Sequence, residues 1–196
     1  MKTTATPLLF ALLLCLPLAA CGDRPQADVA DGVSRIGQKV REATNQARQK
    51  LAEGNISISG NKGAKVEVSP AGDLLIDGKA VAIDDNQRQL LLQYRAQVIK
   101  VAEAGIEVGV QGADLGARAA GEALKGLLSG NTEQIEERVN AEAKKLEESA
   151  AKICDQLPAL LAAQQQLAAA IPEYKPYASM DQGDIDECRE GQVTLR

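Results

Sequence analysis

The spacing of apolar residues predicts a long helix near the start of the folded part of the chain. Apolar residues recur there at intervals of three and four, which is typical of one face of a helix. They are Val33, Ile36, Val40, Ala43, Ala47 and Leu51. Asp31 or Ser34 suits the N-cap, and Gly54-Asn55 suits the C-terminal end. We therefore predict a helix over residues 34–53.

Residues 55–83 follow a period of two instead. Ile56 and Ile58 alternate with serines, and Val66 and Val68 alternate with polar residues, which is typical of strands. The expected turns are residues 60–63, residues 70–73 and the Asp77-Gly78 hairpin pair. This pattern predicts a small antiparallel β-meander. Because a few short strands are not stable alone, we expect a helix to cover its apolar face.

Helical spacing returns over residues 85–171. Asp84 and Gln87 have the spacing of a capping pair, the first helix is expected to end at Gly130-Asn131, and Pro158 opens a later helix that Pro172 closes. The predicted fold class is α+β and mostly α, with the meander packed against long amphipathic helices. We expect one domain over residues 34–177, made of helix 34–53, meander 55–83 and helices 85–171, followed by an irregular polar tail at residues 178–196.

Four glycines form one narrow stripe on the helix that begins near residue 85. They are Gly105, Gly109, Gly112 and Gly116. Each glycine costs a helix about 1 kcal/mol relative to alanine, so the stripe needs an explanation. We predict helix packing, in which a second helix approaches closely at these glycines. Association with a membrane, docking of a partner helix and a broken segment are the alternatives, and the charges at Glu107, Asp114 and Arg118 disfavour the membrane.

The N-terminal segment predicts export and lipidation. Lys2 precedes an apolar run at residues 7–18 that is too short to span a bilayer, as expected of a signal peptide. The run ends in Leu18-Ala-Ala-Cys21, which resembles the lipobox of bacterial lipoproteins. We therefore expect residues 1–20 to be removed, Cys21 to be lipidated and residues 21–33 to form a flexible tether. The alternative is an ordinary secretory signal that is cut after Ala20.

Lipidation would place the protein in the bacterial envelope. The two or three acyl chains of a bacterial lipoprotein anchor a protein stably in a membrane, whereas one chain does so only marginally. Gly22 stands where an aspartate often signals retention in the inner membrane of such lipoproteins, so the expected location is the outer membrane, facing the periplasm.

The composition disfavours several classes of function. The net charge is −5 and no basic run is present, which disfavours nucleic-acid binding. The chain has no histidine, so mechanisms that depend on a histidine base or a histidine–zinc centre are excluded. We predict no cofactor and no metal. The expected partners are the membrane, through the lipid, and an envelope protein, and the sequence does not determine the oligomeric state.

The cysteines predict one disulfide. Cys15 leaves with the signal and Cys21 is lipidated, so Cys154 and Cys188 remain in an oxidising compartment, where free thiols are unusual. We predict that they pair and tie the tail back to the helices. Closing a loop of about 35 residues is worth roughly 4 kcal/mol through the entropy of the unfolded chain.

The remaining candidate sites have simpler structural explanations. Ser149 and Lys152 match the S-x-x-K pattern of penicillin-binding proteins, but they also fit the polar face of a Glu/Lys-rich helix. Adjacent carboxylates on a helix point apart and do not form a catalytic pair. Asp181, Asp184 and Asp186 lack the ligand spacing of a calcium loop. We therefore predict no catalytic residues.

Part of the chain resembles a known family. The matching residues are the block from Gly72 to Gly78, Gln87-Arg88, Leu90-Leu91 and Tyr94, and later Cys154, Gln156-Leu157, Ile171-Pro172 and Pro176-Tyr177. They resemble the YggN-like family of periplasmic or lipid-anchored proteobacterial proteins, which is defined by a domain of unknown function. The resemblance covers residues 56–177 and implies a location, but no activity.

These observations favour a non-enzymatic envelope lipoprotein that acts by binding or structural support. One alternative is a carrier or chaperone-like module for an apolar ligand, which requires a dry cavity at the glycine stripe. The other is a hydrolase that uses carboxylates alone, which requires two facing carboxylates in one cleft.

Overall fold

The computed structural model describes residues 25–59, 63–129 and 133–191. The helices are α1 (Pro25–Glu53), α2 (Asp85–Ser129), α3 (Glu133–Cys154), α4 (Leu157–Ala170) and α5 (Gln182–Arg189), with a 3-10 helix at Lys175–Tyr177. The strands are β1 (Ile56–Ser59), β2 (Lys65–Val68), β3 (Leu74–Ile76) and β4 (Lys79–Ala80). The predicted fold class is confirmed, since a small antiparallel sheet packs against long helices.

The sheet is a meander in the order β1-β2-β3-β4. Its register pairs Ile56 with Val68 and Val66 with Ile76. The Asp77-Gly78 hairpin is confirmed, with φ of 49° and 76° at the two residues, as a type I′ turn requires. The Asp77 carboxylate also accepts a hydrogen bond from the Lys65 backbone N–H at 2.8 Å, which fixes the hairpin to β2.

The predicted capping pair starts α2. The Asp84 carboxylate accepts from the Gln87 backbone N–H at 2.8 Å, and the Gln87 amide oxygen accepts from the Asp84 backbone N–H at 2.9 Å. The other end of the Gln87 amide donates to the Ala170 carbonyl at 2.8 Å. One side chain therefore caps α2 and holds the last turn of α4 against it.

The hydrophobic core lies where the sheet, the first turns of α2 and the segment around α4 meet. Its fully or almost fully buried residues are Val66, Val68, Leu74, Leu91, Tyr94, Leu167, Ile171 and Tyr174. Val98, one turn after Tyr94, packs against this cluster and is only partly buried. The core therefore covers only the first part of α2, which has 45 residues and is about 67 Å long at 1.5 Å per residue.

Beyond the core, α2 is the middle helix of a flat layer of three. Exposed and half-buried residues alternate along α2 from residue 103 to residue 112. Ala113 is half-buried like the residue before it, and the alternation then continues to residue 121. Alternate residues of a helix lie about 200° apart, so this alternation indicates helices on two opposite flanks. The position of Leu146 beside Gly112 and the Glu122–Arg138 ion pair assign one flank to α3, which leaves the other flank to α1.

Three local predictions are corrected. α1 begins at Pro25, so residues 25–33 are helical and are not a flexible tether; proline suits the first turn of a helix because it needs no N–H donor there. The tail is not irregular throughout, because it contains α5. β4 ends at Ala80, three residues before the predicted end of the meander at residue 83. The signal peptide, Cys21 and the predicted break at Gly130-Asn131 lie outside the described residues.

Candidate functional site

A cluster of polar groups joins the sheet to α2, and its first part is a carboxylate at a turn. Asp73 accepts a hydrogen bond from the Ser69 hydroxyl at 2.9 Å and forms an ion pair with Arg88. Arg88 also donates to the Ala71 carbonyl at 3.4 Å. The Arg88 hydrogen bond, with a smaller contribution from Ser69, lowers the pKa of Asp73 below its usual value. Asp73 is therefore an ionised anchor of the turn and does not suit the role of a proton donor.

The same turn presses its backbone against α2 at Gly72. Gly72 has a φ of 81°. A Cβ at this position would lie 2.9 Å from Leu92 Cγ and 3.1 Å from the Arg88 carbonyl oxygen. Only glycine combines this backbone conformation with so close an approach. Gly72, Asp73 and Arg88 all belong to the residues that carry the family resemblance, and the structure gives each of them a role in joining the sheet to α2.

Arg95 is the most buried cation of the described residues, with 5% of its surface exposed. Its guanidinium donates to the Val68 carbonyl at 3.0 Å and to the Leu51 and Ala52 carbonyls at 2.6 and 3.2 Å. The last two are unpaired carbonyls at the C-terminal end of α1, where a cation is also favoured by the helix dipole. Burial lowers the pKa of Arg95 from its usual value. Arg95 therefore connects α1, β2 and α2.

Two tyrosine rings meet in the core. Tyr94 and Tyr174 pack edge to face, with 5.8 Å between ring centroids. Burial raises the pKa of both hydroxyls above the usual value near 10. The Tyr174 hydroxyl has no hydrogen-bond partner among the described residues. A hydroxyl held neutral inside a packed core does not serve acid–base chemistry near neutral pH, so this pair is structural.

The predicted disulfide is confirmed. Cys154 at the end of α3 is bonded to Cys188 in α5, with 5.7 Å between their Cα atoms. A second attachment lies beside it, where the buried Gln164 amide donates to the Met180 carbonyl at 2.8 Å and accepts from the Met180 N–H at 3.2 Å. Ile185 of α5 is 1% exposed. The tail is therefore docked by packing and hydrogen bonds as well as by the covalent bond.

The acidic residues of the tail form a helix cap. The Asp181 carboxylate accepts from the Asp184 N–H at 3.3 Å, and the Asp184 carboxylate accepts from the Asp181 N–H at 2.8 Å. This reciprocal pair is a capping box that starts α5. Within residues 25–59, 63–129 and 133–191, no group of three or more Cys, Asp or Glu residues is placed to hold a metal ion.

The structure corrects the prediction for the glycine stripe at three of its four positions. A Cβ added at Gly105, Gly109 or Gly116 would meet no atom of the described part of the chain within 4 Å, and all three residues are exposed. At Gly112 a Cβ would make an ordinary contact with Leu146 Cδ2 at 3.5 Å. The two neighbouring helices lie on the flanks of α2, and the stripe lies on the open face between them.

A groove runs between α2 and α3, on the side of α2 opposite the glycines. Its volume is about 200 Å³. It is lined by Gln111, Asp114, Leu115, Arg118, Glu142, Lys145 and Leu146. The Lys145 ammonium donates to the Glu142 carboxylate at 3.1 Å. Asp114 and Glu142 come from different helices, so this groove brings carboxylates of two elements together with the cations Arg118 and Lys145.

The N-terminal prediction has no structural counterpart, because Cys21 lies outside the described residues. None of the helices in the described part of the chain is long and apolar enough to cross a membrane. Ser149 is half-buried and Lys152 is exposed on α3.

Sequence reasoning missed two residues that hold the fold. Arg95 and Gln164 are both buried, and each forms hydrogen bonds with the backbone of another segment. For Gln164 a signal exists, because it stands in one apolar stripe with Leu161 and Leu167, three residues to either side. For Arg95 no comparable signal exists, because arginine is usually exposed and the sequence around Tyr94 does not indicate that this one is buried.

Comparison with known proteins returns one family. The family model described as "Protein of unknown function (DUF2884)" matches residues 45–133 and 128–180, which together make up more than half of the chain. No curated protein matches the chain, and no solved structure matches it. The matched region contains the end of α1, the sheet, α2, α3, α4 and the 3-10 helix.

Proposed function

The chain belongs to the DUF2884 family, and we propose that it is an envelope lipoprotein that acts by binding or structural support and not by catalysis. The lipobox-like Leu18-Ala-Ala-Cys21 supports the anchor and the location, with the outer membrane facing the periplasm as the proposed site. The membrane, through the acyl chains, and an envelope protein are the proposed partners.

The observation that carries the proposal is how the chain uses its polar groups. Asp73, Arg88 and Arg95 each bind a turn or a helix end. Hydrogen bonds from Arg88 and Ser69 lower the pKa of Asp73, and burial lowers the pKa of Arg95, so both shifts have a structural cause. At the same time α2 extends far beyond the core and exposes two of its faces. Such an arm with open faces is better suited to contact with another surface than to enclosing a substrate.

A carboxylate-only hydrolase is the second candidate, because Asp114 and Glu142 line one groove. Two features make it weaker. Glu142 is held in an ion pair with Lys145, and a retaining or inverting glycosidase needs one carboxyl that stays protonated. The groove also opens on the charged face of the layer. The carrier alternative is not favoured, because the glycine stripe is an exposed face and does not line a cavity among the described residues.

Membrane fractionation tests the anchor. We expect Cys21→Ser to release the protein from membranes or to leave it unprocessed, because none of the described helices can hold it in a bilayer. Cys154→Ser with Cys188→Ser is the matched control, since it removes two other cysteines and leaves the anchor. If the Cys21→Ser protein remained with the outer membrane after a high-salt wash, the proposed anchor would be wrong.

Site-specific crosslinking in the envelope tests the mode of action. A photoreactive residue at exposed position 114 of α2 should capture one reproducible envelope protein, whereas the same residue at exposed position 162 of α4 serves as the control. Capture of lipid without protein would favour the carrier. Glycan hydrolysis that is lost in Asp114→Asn and in Glu142→Gln would favour the hydrolase.

A further inference from the structure

The exposed residues of α2 beyond the core fall into two chemically different faces. Five exposed residues form the polar face, and five others form what we call the glycine face. The polar face is Glu103, Glu107, Gln111, Asp114 and Arg118, and the glycine face is Gly105, Gly109, Gly116, Ala120 and Ala123. At 100° per residue the two sets lie on opposite sides of the helix. The glycine face therefore presents exposed backbone and methyl groups to the solvent.

An exposed isoleucine lies beside the glycine face. Ile36 of α1 is 57% exposed, the one large apolar side chain of the described residues with such exposure. Arg95 holds the end of α1 at Leu51, so α1 runs antiparallel to α2. Counting 15 residues from each of these positions brings Ile36 level with residue 110 of α2. Ile36 lies about 60° around α1 from the half-buried positions 37, 40, 44, 47 and 51 that pack on α2. With right-handed helices in this order, it lies on the side of the glycine face.

The two edges of this surface carry opposite charges. On α1, Lys39 and Lys50 lie in the same stripe as Ile36. On α3, Lys145 lines the groove on the polar side. Glu147 is two residues further and therefore lies on the opposite side of α3, which is the side of the glycine face. Glu136 lies on that side as well. All four charged residues are exposed, and none has an ion-pair partner within the described ranges. The surface is apolar in the middle, basic along α1 and acidic along α3.

We propose that this surface binds a second copy of the chain, with a twofold axis parallel to α2. This arrangement places α1 of each copy over α3 of the other, so that Lys39 of the basic edge meets Glu147 of the acidic edge. An axis across the helices would stack like charges instead, which is unfavourable. Lys39 then lies about 6 Å along the axis from Glu147 of the second copy, within reach of a lysine side chain. Ile36 packs over the small side chain of Ala150.

The size of the surface is sufficient for such a dimer. The three helices lie side by side from Gly105 of α2 to the level of Pro25 of α1, about 24 Å, and at 8–10 Å spacing they make a layer about 28 Å wide. Each copy would bury roughly 670 Å², so the pair would bury about 1,300 Å², within the range of about 1,200–2,000 Å² for specific interfaces. The proposal goes beyond the proposed function and does not depend on the lipid anchor.

Sedimentation of the full chain carrying Cys21→Ser, which excludes association through acyl chains, tests the proposal. We expect a dimer at tens of micromolar. Gly109→Glu and Gly116→Glu should weaken it at least tenfold, because they place charge in the interface. Gln111→Glu adds the same charge at the same level of the polar face and should change the dissociation constant less than twofold. The substituted glycines face open space, so thermal melts should show that all three variants fold.

A charge exchange tests the orientation. Lys39→Glu alone and Glu147→Lys alone should each weaken the dimer, because each makes two pairs of like charges. An equimolar mixture of the two variants should restore dimerisation, since both pairs in the mixed dimer are then of opposite sign. A Cys21→Ser parent that stays monomeric at 200 µM would overturn the proposal, and so would glycine-face variants that dimerise normally. A mixture that dimerises no better than its components would also overturn it.

Discussion

Alanine substitutions at three kinds of glycine should have effects of different sign and size. At Gly109, on the open face of α2, a Cβ meets nothing among the described residues, so Gly109→Ala should stabilise the protein by about 0.5–1 kcal/mol through helix propensity. At Gly78, φ is 76° and the surroundings are open, so Gly78→Ala should cost about 1–2 kcal/mol for the left-handed conformation alone. Gly78 therefore isolates the conformational penalty.

Gly72→Ala should be the most destabilising of the three. It combines a φ of 81° with a Cβ 2.9 Å from Leu92 Cγ and 3.1 Å from a carbonyl oxygen of Arg88. Overpacking of this kind adds about 1–3 kcal/mol, so we expect a total loss of roughly 2–5 kcal/mol. Urea unfolding of the wild type and the three variants measures these changes in the free energy of unfolding. A loss at Gly72 no larger than at Gly78 would refute the close contact between turn and helix. At protein concentrations too low for a dimer, a loss at Gly109 would indicate a neighbour from the same chain on the glycine face.

Further predictions concern the polar contacts and the disulfide. Arg95→Met should lower the free energy of unfolding by about 2–4 kcal/mol, because three carbonyl groups lose a charged donor. As a control, an exposed arginine of α1 changed to methionine should cost less than about 0.5 kcal/mol in the same urea melts. The pKa of Asp73 is lowered in the folded state, so its pairing with Arg88 stabilises the fold above pH 3.8, and this stabilisation is lost as the pH falls through the folded-state pKa. In urea melts, the stability difference between wild type and Arg88→Met should therefore shrink from pH 7 to pH 3. A difference that stays constant would contradict this prediction. Reducing the Cys154–Cys188 bond should cost up to about 4 kcal/mol, and hydrogen exchange should show α5 amides losing protection before those of α2.

Local signals in the sequence predicted the elements well, because each depends on a few neighbouring residues. Asp84 with Gln87 started α2, Pro158 lies in the first turn of α4, and Asp77-Gly78 made the hairpin. Cysteine counting found the disulfide. Backbone conformation and capping act within a few residues, and the disulfide follows from the covalent chemistry of two cysteines.

The structural environment of the glycine stripe was not predictable in the same way. Periodicity shows that Gly105, Gly109 and Gly116 share a face, but it does not show whether another helix covers that face. α2 packs on two opposite flanks, and the half-buried positions between the glycines carry those contacts. Helix α5 was missed for a different reason. Its capping box at Asp181 and Asp184 reads as an acidic cluster when no apolar period follows it.

The part of the protein that stabilises the fold is separate from the surface that is open for interaction. The residues that carry the family resemblance, including Gly72, Arg88 and Tyr94, join the sheet, α2 and α4 into one core. Past Val98, α2 continues for about 30 residues, which adds about 45 Å to a layer with little core of its own. A helical layer without a core should not retain four glycines for stability, since alanine would serve better there. The exposed glycine face is therefore best explained by contact with another surface, to which glycine allows a closer approach than any other residue.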